Sequence, residues 1–370
     1  MNKLSVFSRA LGVFAAALVA LSSVTVLTGC AGKFTPASLI NSGGAPNNPS
    51  STGQSTPPAS TMGVAFNPNT NLLYVLEKGD VAANYAGTVS VINQATNAVT
   101  ATIPVGAWPE GVAVNPLTNT IYVTNYAGPS LSIINGATNV VTATIPNTSV
   151  GDTPSGVAVN PLTNKVYVTD IVGDLIYGMY VLDGSTGALL SQIQTNGNVF
   201  SVAVNTLTNT IYATTQYSVL VINGDSDIVS GTIAGPLSPQ GVPTAFGASG
   251  IVVDEAANIV YAGSTGSSTS GVTVINGATN AINATVALGS APSSLALDPI
   301  KHIVYATMAN PAAVAVIDTT TNSACASLSL VASPVAVAVN PSTSLVYVTE
   351  GTEVAVINPA SQTTTDIPIQ

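Results

Sequence analysis

Short apolar stretches recur along the chain from about residue 59, each bounded by Asn, Gly, Pro or Thr. In the clearest unit, between Gly111 and Ile145, four of them follow one another as GVAVN, TIYVTN, LSIIN and VVTATI. Val, Ile, Tyr and Thr dominate these stretches, which is typical of β-strands. Breaks such as Asn115-Pro116 supply turn chemistry, because proline pre-sets φ and an Asn side chain can bond the backbone ahead of it. The unit therefore predicts four antiparallel strands, A to D.

This unit repeats seven times at intervals of 42 to 49 residues. The residues that close the successive A segments are Asn67, Asn115, Asn160, Asn205, Asp254, Asp298 and Asn340. Units of about 45 residues match the length of a four-stranded propeller blade. Residues 59–370 are thus predicted to form an all-β, seven-bladed β-propeller of four-stranded antiparallel blades, with strand A nearest the axis. The first unit begins at strand A and the last ends at strand D, so blades one and seven are expected to meet by face packing. A strand donated from residues 34–40 is the weaker alternative.

The tetrapeptide Tyr122-Val123-Thr124-Asn125 in the second unit resembles the motif that names the YVTN β-propeller repeat family. Close variants begin at Tyr167 and Tyr347, while the units that begin at Tyr212, Tyr261 and Tyr305 depart from it. The resemblance covers about 310 residues. It implies the propeller architecture and an exported protein, but little chemistry, because most members have no assigned reaction.

The N-terminus has the features of an export signal. Lys3 and Arg9 precede an apolar run from Leu11 to Leu27, and Leu27-Thr28-Gly29-Cys30 resembles the lipobox of bacterial lipoproteins. Residues 1–29 are predicted to be a lipoprotein signal peptide, with Cys30 as the lipidated residue that attaches the chain to a membrane. Residues 30–58, rich in Gly, Ser, Pro and Asn, are predicted to be a flexible linker. An ordinary signal peptide or an uncleaved anchor is the alternative.

By this resemblance the chain is placed in the bacterial cell envelope, lipid-anchored at the outer membrane and facing the periplasm or the surface. If Cys30 carries a lipid, Cys325 is expected to be a lone thiol, because the sequence has only two cysteines. Acidic residues outnumber basic ones 16 to 6, and two of the basic residues belong to the predicted signal. Nucleic-acid affinity depends on Lys and Arg that neutralise phosphates, so no nucleic-acid partner is expected.

A pattern across the repeats predicts a functional face. The residue three positions after each motif tyrosine ends strand B, and in a closed ring Glu350, Glu77, Asn125 and Asp170 fall on four consecutive blades. Oxygen-rich groups suit Ca²⁺, so Glu77, Asp170 and Glu350 are candidate metal ligands. The alternative is that Asn125 and Asp170 only cap their own turns. The neighbouring connections add further acidic residues, Asp80, Asp174, Glu353, Glu110 and Asp152.

The same connections hold most of the aromatic residues that are not motif tyrosines, including Tyr85. Aromatic rings beside amides and carboxylates suit sugars, peptides or cationic groups, so a protein, peptide or glycan ligand is expected on this face. Apart from Asn125, the candidate ligand-binding residues are Trp108, Tyr126, Tyr177 and Tyr217. The alternative is that these rings only cover apolar loop residues.

Three functions follow from these features. The leading hypothesis is a non-enzymatic binding or scaffold module, because no catalytic motif appears and the single histidine, His302, lies in a predicted turn. The second is a metal-dependent propeller hydrolase or lyase, lactonase-like, that uses Glu77, Asp170 and Glu350 as ligands while Asn125 orients the substrate. The third is a purely structural surface coat.

Overall fold

A computed structural model describes residues 60–80, 84–171, 178–235, 245–246, 250–265, 270–361 and 363–369. Their regular structure is all β apart from one 3₁₀ turn, Asn147–Ser149. Within these ranges no helix has the length and hydrophobicity that a membrane crossing requires. The predicted signal peptide, Cys30 and the linker lie outside the described residues.

Twenty-eight strands form seven sheets of four, which are the blades. Blade one contains β1 to β4: Ser60–Asn67, Leu72–Lys78, Ala86–Asn93 and Ala98–Ala107. Blade two contains β5 to β8: Pro109–Asn115, Thr120–Asn125, Ser130–Asn135 and Val140–Pro146. Blade three contains β9 to β12: Pro154–Asn160, Lys165–Asp170, Gly178–Asp183 and Leu189–Gln194.

Blade four contains β13 to β16: Val199–Asn205, Thr210–Thr215, Ser218–Asn223 and Ile228–Ala234. Blade five contains β17 to β20: Ile251–Asp254, Ile259–Ser264, Gly271–Asn276 and Ala281–Ala287. Blade six contains β21 to β24: Pro292–Asp298, Ile303–Ala309, Ala312–Asp318 and Ser323–Ser329. Blade seven contains β25 to β28: Pro334–Asn340, Leu345–Glu350, Glu353–Asn358 and Thr363–Pro368.

In every blade the four strands pair in chain order and antiparallel. The first strands of neighbouring blades contact one another around the ring, and β1 contacts β25 and β26 to close it. The predicted seven-bladed propeller with strand A innermost is therefore confirmed. Within the described ranges no blade is shared between the two ends of the chain, so blades one and seven meet face to face. Residues 34–40 lie outside those ranges.

Both faces of each blade are buried against the neighbouring blades. All seven motif tyrosines are at most 2% exposed: Tyr74, Tyr122, Tyr167, Tyr212, Tyr261, Tyr305 and Tyr347. Each lies in an apolar cluster that spans two blades. The Tyr122 hydroxyl also donates a hydrogen bond of 2.7 Å to the carbonyl of Gly184 in the next blade. Burial on both sides explains why the strands are apolar at nearly every position.

A buried threonine at the end of strand B joins neighbouring blades by hydrogen bonds. In blade three the hydroxyl of Thr169 accepts from the amide of Gly156 at 2.8 Å and donates to the carbonyl of Phe200 in blade four at 2.9 Å. In blade seven Thr349 accepts from Ala336 at 2.9 Å and donates to Met62 of blade one at 2.8 Å. The backbone amide that donates to each threonine lies where the pairing of strands A and B is irregular. One hydroxyl therefore gives this amide a hydrogen-bond partner and also joins two blades.

A ladder of asparagines joins the blades at the opposite end of strand A. The side-chain amide of Asn115 donates to Asn164 of the next blade at 2.8 Å, while its oxygen accepts from the backbone amide of Leu117 at 3.0 Å. The same contact joins four other pairs: Asn67 with Asn119, Asn160 with Asn209, Asn205 with Asn258, and Asn340 with Asn71. The acceptors adopt positive φ, a conformation that Asn tolerates better than most residues. The predicted turn-capping role of the motif Asn is confirmed. Its hydrogen bond to the next blade was not predicted from the sequence.

Cys325, in β24, departs from the sequence-based expectation of a lone thiol, because the structure describes it as disulfide-bonded. The expectation was conditional on a lipid at Cys30, the only other cysteine in the sequence. One sulfur atom cannot both form a disulfide and carry a thioether.

Replacement of Thr349 by Val tests the closure of the ring. The change leaves the backbone amide of Ala336 and the carbonyl of Met62 without their hydroxyl partner, and we expect it to lower the free energy of unfolding by about 1–3 kcal/mol. Thr365→Val, at an exposed position of β28 in the same blade, is the matched control and should change it by less than about 0.5 kcal/mol. Equal urea-unfolding midpoints for the two variants would contradict a role for this bond in closure.

Candidate ligand-binding surface

The connections between strands B and C and those between strands D and A open on the same end of the propeller. Trp108 connects β4 of blade one to β5 of blade two, and its ring contacts Tyr85 and Tyr126, which belong to B–C connections. We call this end the loop face. The A–B turns, which carry the asparagine ladder, lie at the other end. The predicted convergence of the two kinds of connection is confirmed at this junction.

Three aromatic rings form a continuous row across the seam between blades one and two. The ring centroid of Trp108 lies 5.5 Å from that of Tyr85 and 5.5 Å from that of Tyr126. The ammonium of Lys78 lies 3.2 Å from the Trp108 centroid and 5.1 Å from the Tyr85 centroid, within the range of a cation–π contact. All four side chains are only partly buried. The row therefore offers aromatic surface and one positive charge to the solvent.

The backbone of Trp108 is held in an unfavourable conformation. Its φ is +52°, in the left-handed region that bulky residues rarely adopt. The amide of Trp108 donates to the carbonyl of Tyr85 at 2.9 Å, and its carbonyl accepts from the amide of Tyr126 at 2.8 Å. The same three residues that stack their rings thus also bond their backbones. A conformation that costs about 1–3 kcal/mol is maintained by these contacts.

Asn125 lies below the row and cannot contact a ligand at the surface. Its side chain is fully buried, and its amide donates to the hydroxyls of Ser130 at 3.1 Å and Ser132 at 3.0 Å. A methyl group at Gly106 would come within 2.6 Å of it, so the strand above covers it closely. The burial of Asn125 therefore does not agree with the prediction that it binds a ligand directly. Instead, Asn125 supports the base of the B–C connection that carries Tyr126.

Glu77 and Asp170 are each engaged within their own surroundings. Glu77 is 6% exposed and accepts a hydrogen bond from the hydroxyl of Ser90 on the neighbouring strand. Burial raises the pKa of Glu77, although the hydrogen bonds from Ser90 and Thr88 act in the opposite direction. Asp170 is 1% exposed and accepts from the amide of Thr153 at 2.9 Å and from its hydroxyl at 2.7 Å. Asp170 thus binds the preceding D–A connection rather than its own turn.

Glu350 is also buried and accepts from the amide of Ala332 at 3.2 Å, and burial is the main cause of its raised pKa. No three or more His, Cys, Asp or Glu side chains in the described ranges lie close enough to hold a metal ion. The structure therefore does not bring Glu77, Asp170 and Glu350 together, because each ends a strand of a different blade and is bonded there. Of the other acidic candidates, Glu110 is half-buried, Asp152 and Glu353 are exposed, and Asp174 lies outside the described residues.

Tyr217 is separate from the aromatic row and lines a groove in the seam between blades three and four. The groove has a volume of about 710 Å³, within the usual range of ligand sites. It is lined by the D–A connection after β12 and the B–C connection after β14, so it opens on the loop face. Tyr217 is 50% exposed. Tyr177, the remaining aromatic candidate, lies outside the described residues.

Sequence reasoning missed the part that Lys78 plays and did not place Tyr85 in the site. Lys78 ends strand B of blade one, and Tyr85 lies in the B–C connection that follows it. Convergence of the B–C connections could have suggested them. The polar residues of the D–A connection at 195–198, which line the groove, carried no sequence signal that separates them from an ordinary turn.

No family model matches the chain, and no curated protein is similar to it in sequence. Among solved structures, hydrazine synthase of Kuenenia stuttgartiensis is similar with a TM-score of 0.66 and 17% sequence identity. The match covers 87% of this chain and 99% of that chain. At this level of identity the likeness supports the propeller fold alone.

Glu77→Gln tests the environment of the buried carboxylates. A carboxyl group with a raised pKa in the folded state binds its proton more tightly there than when unfolded. The folded protein therefore loses stability as pH rises from the unfolded pKa of about 4.3 through the folded one. Gln mimics the neutral form, so we expect Glu77→Gln to raise the free energy of unfolding at pH 7 by an amount on the order of 1 kcal/mol. The gain should shrink toward zero near pH 4.

Glu353→Gln, which changes an exposed Glu in blade seven, is the control for the loss of one negative charge. Urea unfolding of the three proteins at pH 4 and pH 7 provides the measurement. A Glu77→Gln variant that is less stable than the parent at pH 7 would contradict the assignment of Glu77 as a buried, unfavourably charged group.

Proposed function

We propose that this chain is an exported, lipid-anchored β-propeller of the YVTN repeat type that acts as a non-enzymatic binding or scaffold module on the bacterial cell envelope. The basic start, the apolar run and the Leu27–Cys30 sequence support export and lipid attachment. The Gly-, Ser-, Pro- and Asn-rich segment at 30–58 supports a tether between the anchor and the propeller. A binding module of this kind requires a point of attachment at one end and a contact surface on a rigid ring.

The observation that carries the binding function is the conformation of Trp108. Strained backbone of this kind persists where surrounding structure maintains it, and it is concentrated at functional sites. Here it holds an aromatic row at the loop face, partly exposed and next to Lys78. Aromatic residues anchor many protein interfaces, because they contribute large contact area at low cost in side-chain entropy. The row is thus the proposed contact point for an envelope partner.

The engagement of the carboxylates favours binding over the hydrolase or lyase alternative. Glu77, Asp170 and Glu350 are all buried, and each accepts hydrogen bonds from its local surroundings. A general base or a metal ligand must reach the substrate or the ion directly. Reaching a shared ion would require these side chains to leave their present partners.

Variants of the aromatic row test the binding function. Trp108→Gly combined with Tyr126→Ala removes two rings, and Gly tolerates the positive φ at position 108 without strain. We expect at least a tenfold loss of cross-linked envelope partner from intact cells, because aromatic residues at the centre of an interface often contribute more than 1.4 kcal/mol each. Leu117→Ala combined with Leu162→Ala, which removes exposed leucines from A–B turns, is the control at the opposite end. Equal partner recovery for both double variants would overturn the assignment.

Membrane attachment is tested at Cys30. We expect mass spectrometry of the chain from native membranes to find an N-terminus at Cys30 that carries a diacylglyceryl group. Cys30→Ser should move the protein to the soluble fraction, while Cys325→Ser should remain with the membranes. Because Cys325 is disulfide-bonded in the structure, the mass should be measured with and without reductant, which separates a disulfide from a thioether at Cys30. Membrane fractionation of Cys30→Ser unchanged from the parent would contradict lipid attachment.

A further inference from the structure

The groove between blades three and four differs in chemistry from the aromatic row between blades one and two. In the seam between blades one and two, Trp108 occupies the D–A connection and the ammonium of Lys78 covers its ring. In the seam between blades three and four, the D–A connection is Thr195-Asn196-Gly197-Asn198. These residues are small and polar, so they leave the seam open as a groove. Leu220 and Val229 supply apolar surface inside the groove. A groove of this volume with a mixed polar and apolar lining can receive a small ligand.

Among the residues that the structure describes, the lining of the groove is uncharged. It consists of Gln194, Thr195, Asn196, Gly197, Asn198, Thr215, Gln216, Tyr217, Ser218, Leu220, Val229 and Thr232. A charged ligand would gain no counter-charge from these residues on losing its hydration. They therefore favour an uncharged ligand that makes many hydrogen bonds.

Three side-chain amides of the lining are available to such a ligand. Gln194, Asn196 and Asn198 make no side-chain hydrogen bond to any other residue that the structure describes. Each amide can donate two hydrogen bonds and accept two. The hydroxyl of Thr195, by contrast, donates to the carbonyl of Gly197 at 2.7 Å, which holds this connection in its turn. Gln194 ends β12, and Asn196 and Asn198 belong to the connection that this hydrogen bond shapes.

Tyr217 belongs to the B–C connection that lines the groove beside these amides. The backbone carbonyl of Tyr217 accepts from Gly235 at 2.9 Å and that of Gln216 accepts from Phe246 at 2.9 Å, so the backbone of this connection is held in place. The side-chain amide of Gln216 donates to the Tyr217 hydroxyl at 3.1 Å. Tyr217 is half exposed, so the groove combines an accessible aromatic ring with hydrogen-bonding amides.

We infer that the groove between blades three and four binds a neutral saccharide. A sugar ring has an apolar C–H surface that packs on an aromatic ring, and hydroxyls at its edge that bond to amides. The described lining offers both kinds of contact and no charge. A peptide strand would instead bind chiefly through its backbone, along a strand edge. The inference rests on the proposed function, that the loop face binds, and it names a second site and its ligand class.

Isothermal titration of the full chain with maltohexaose, cellohexaose and chitohexaose tests the inference. We expect at least one of them to bind, and Tyr217→Ala to raise its Kd about tenfold through loss of the ring contact. Tyr217→Phe keeps the ring and should retain Kd within about threefold. Tyr85→Ala, in the other seam, should leave Kd unchanged. Asn198→Ala should weaken binding through loss of one hydrogen-bonding amide.

Binding of none of the three saccharides, or a Kd that Tyr217→Ala leaves unchanged, would overturn the inference. So would Tyr217-dependent binding of a neutral Ser-Ala hexapeptide in place of every saccharide. The emission of Trp108, the only tryptophan, should stay constant during titration, since it lies in the other seam. If the aromatic-row variants lose their envelope partner while no saccharide binds, the inference fails and the proposed function stands.

Discussion

The structure depends on polar contacts that join neighbouring blades at the two ends of their inner strands. At the loop face a threonine hydroxyl fills an irregularity in its own blade and bonds the carbonyl of the next, as Thr169 does with Phe200. At the opposite end an asparagine caps its own turn and donates to an asparagine of the next blade. Apolar packing between sheets has no direction of its own. These bonds set the register in which one blade sits on another.

The ladder is interrupted in two places. Asp254 and Asp298 replace the donor asparagine in blades five and six, and a carboxylate cannot donate. In the following blades, the positive-φ position holds His302 and Ser344 instead of Asn. Asp298 still caps its own turn through the amides of Ile300 and Lys301, but its second oxygen is buried without a hydrogen-bond partner. His302 lies in the A–B turn where the sequence predicted it.

Features that repeat could be predicted from the sequence, and features of single connections could not. Seven copies of one pattern made the strands, the blade count and the burial of the motif tyrosines predictable, because each copy supports the same interpretation. The pattern also placed Trp108 and Tyr126 on one face. It did not reveal that Glu77, Asp170 and Glu350 are each hydrogen-bonded within their own surroundings, since equal positions on separate blades need not point toward one another. It failed for Asn125 because burial under Gly106 depends on the path of one particular strand.

Functional variety in this fold therefore belongs to the seams. The blade interiors are constrained on both faces, and the bonds between blades fix the spacing of the inner strands. The D–A and B–C connections lie outside this packing, and in the seam between blades one and two one D–A connection meets two B–C connections. In one seam Trp108, whose backbone is left-handed like that of Tyr85, stacks between two tyrosines. In another, a connection of small polar residues leaves a groove beside Tyr217. The same scaffold thus presents two chemically different surfaces on one face without any change to its core.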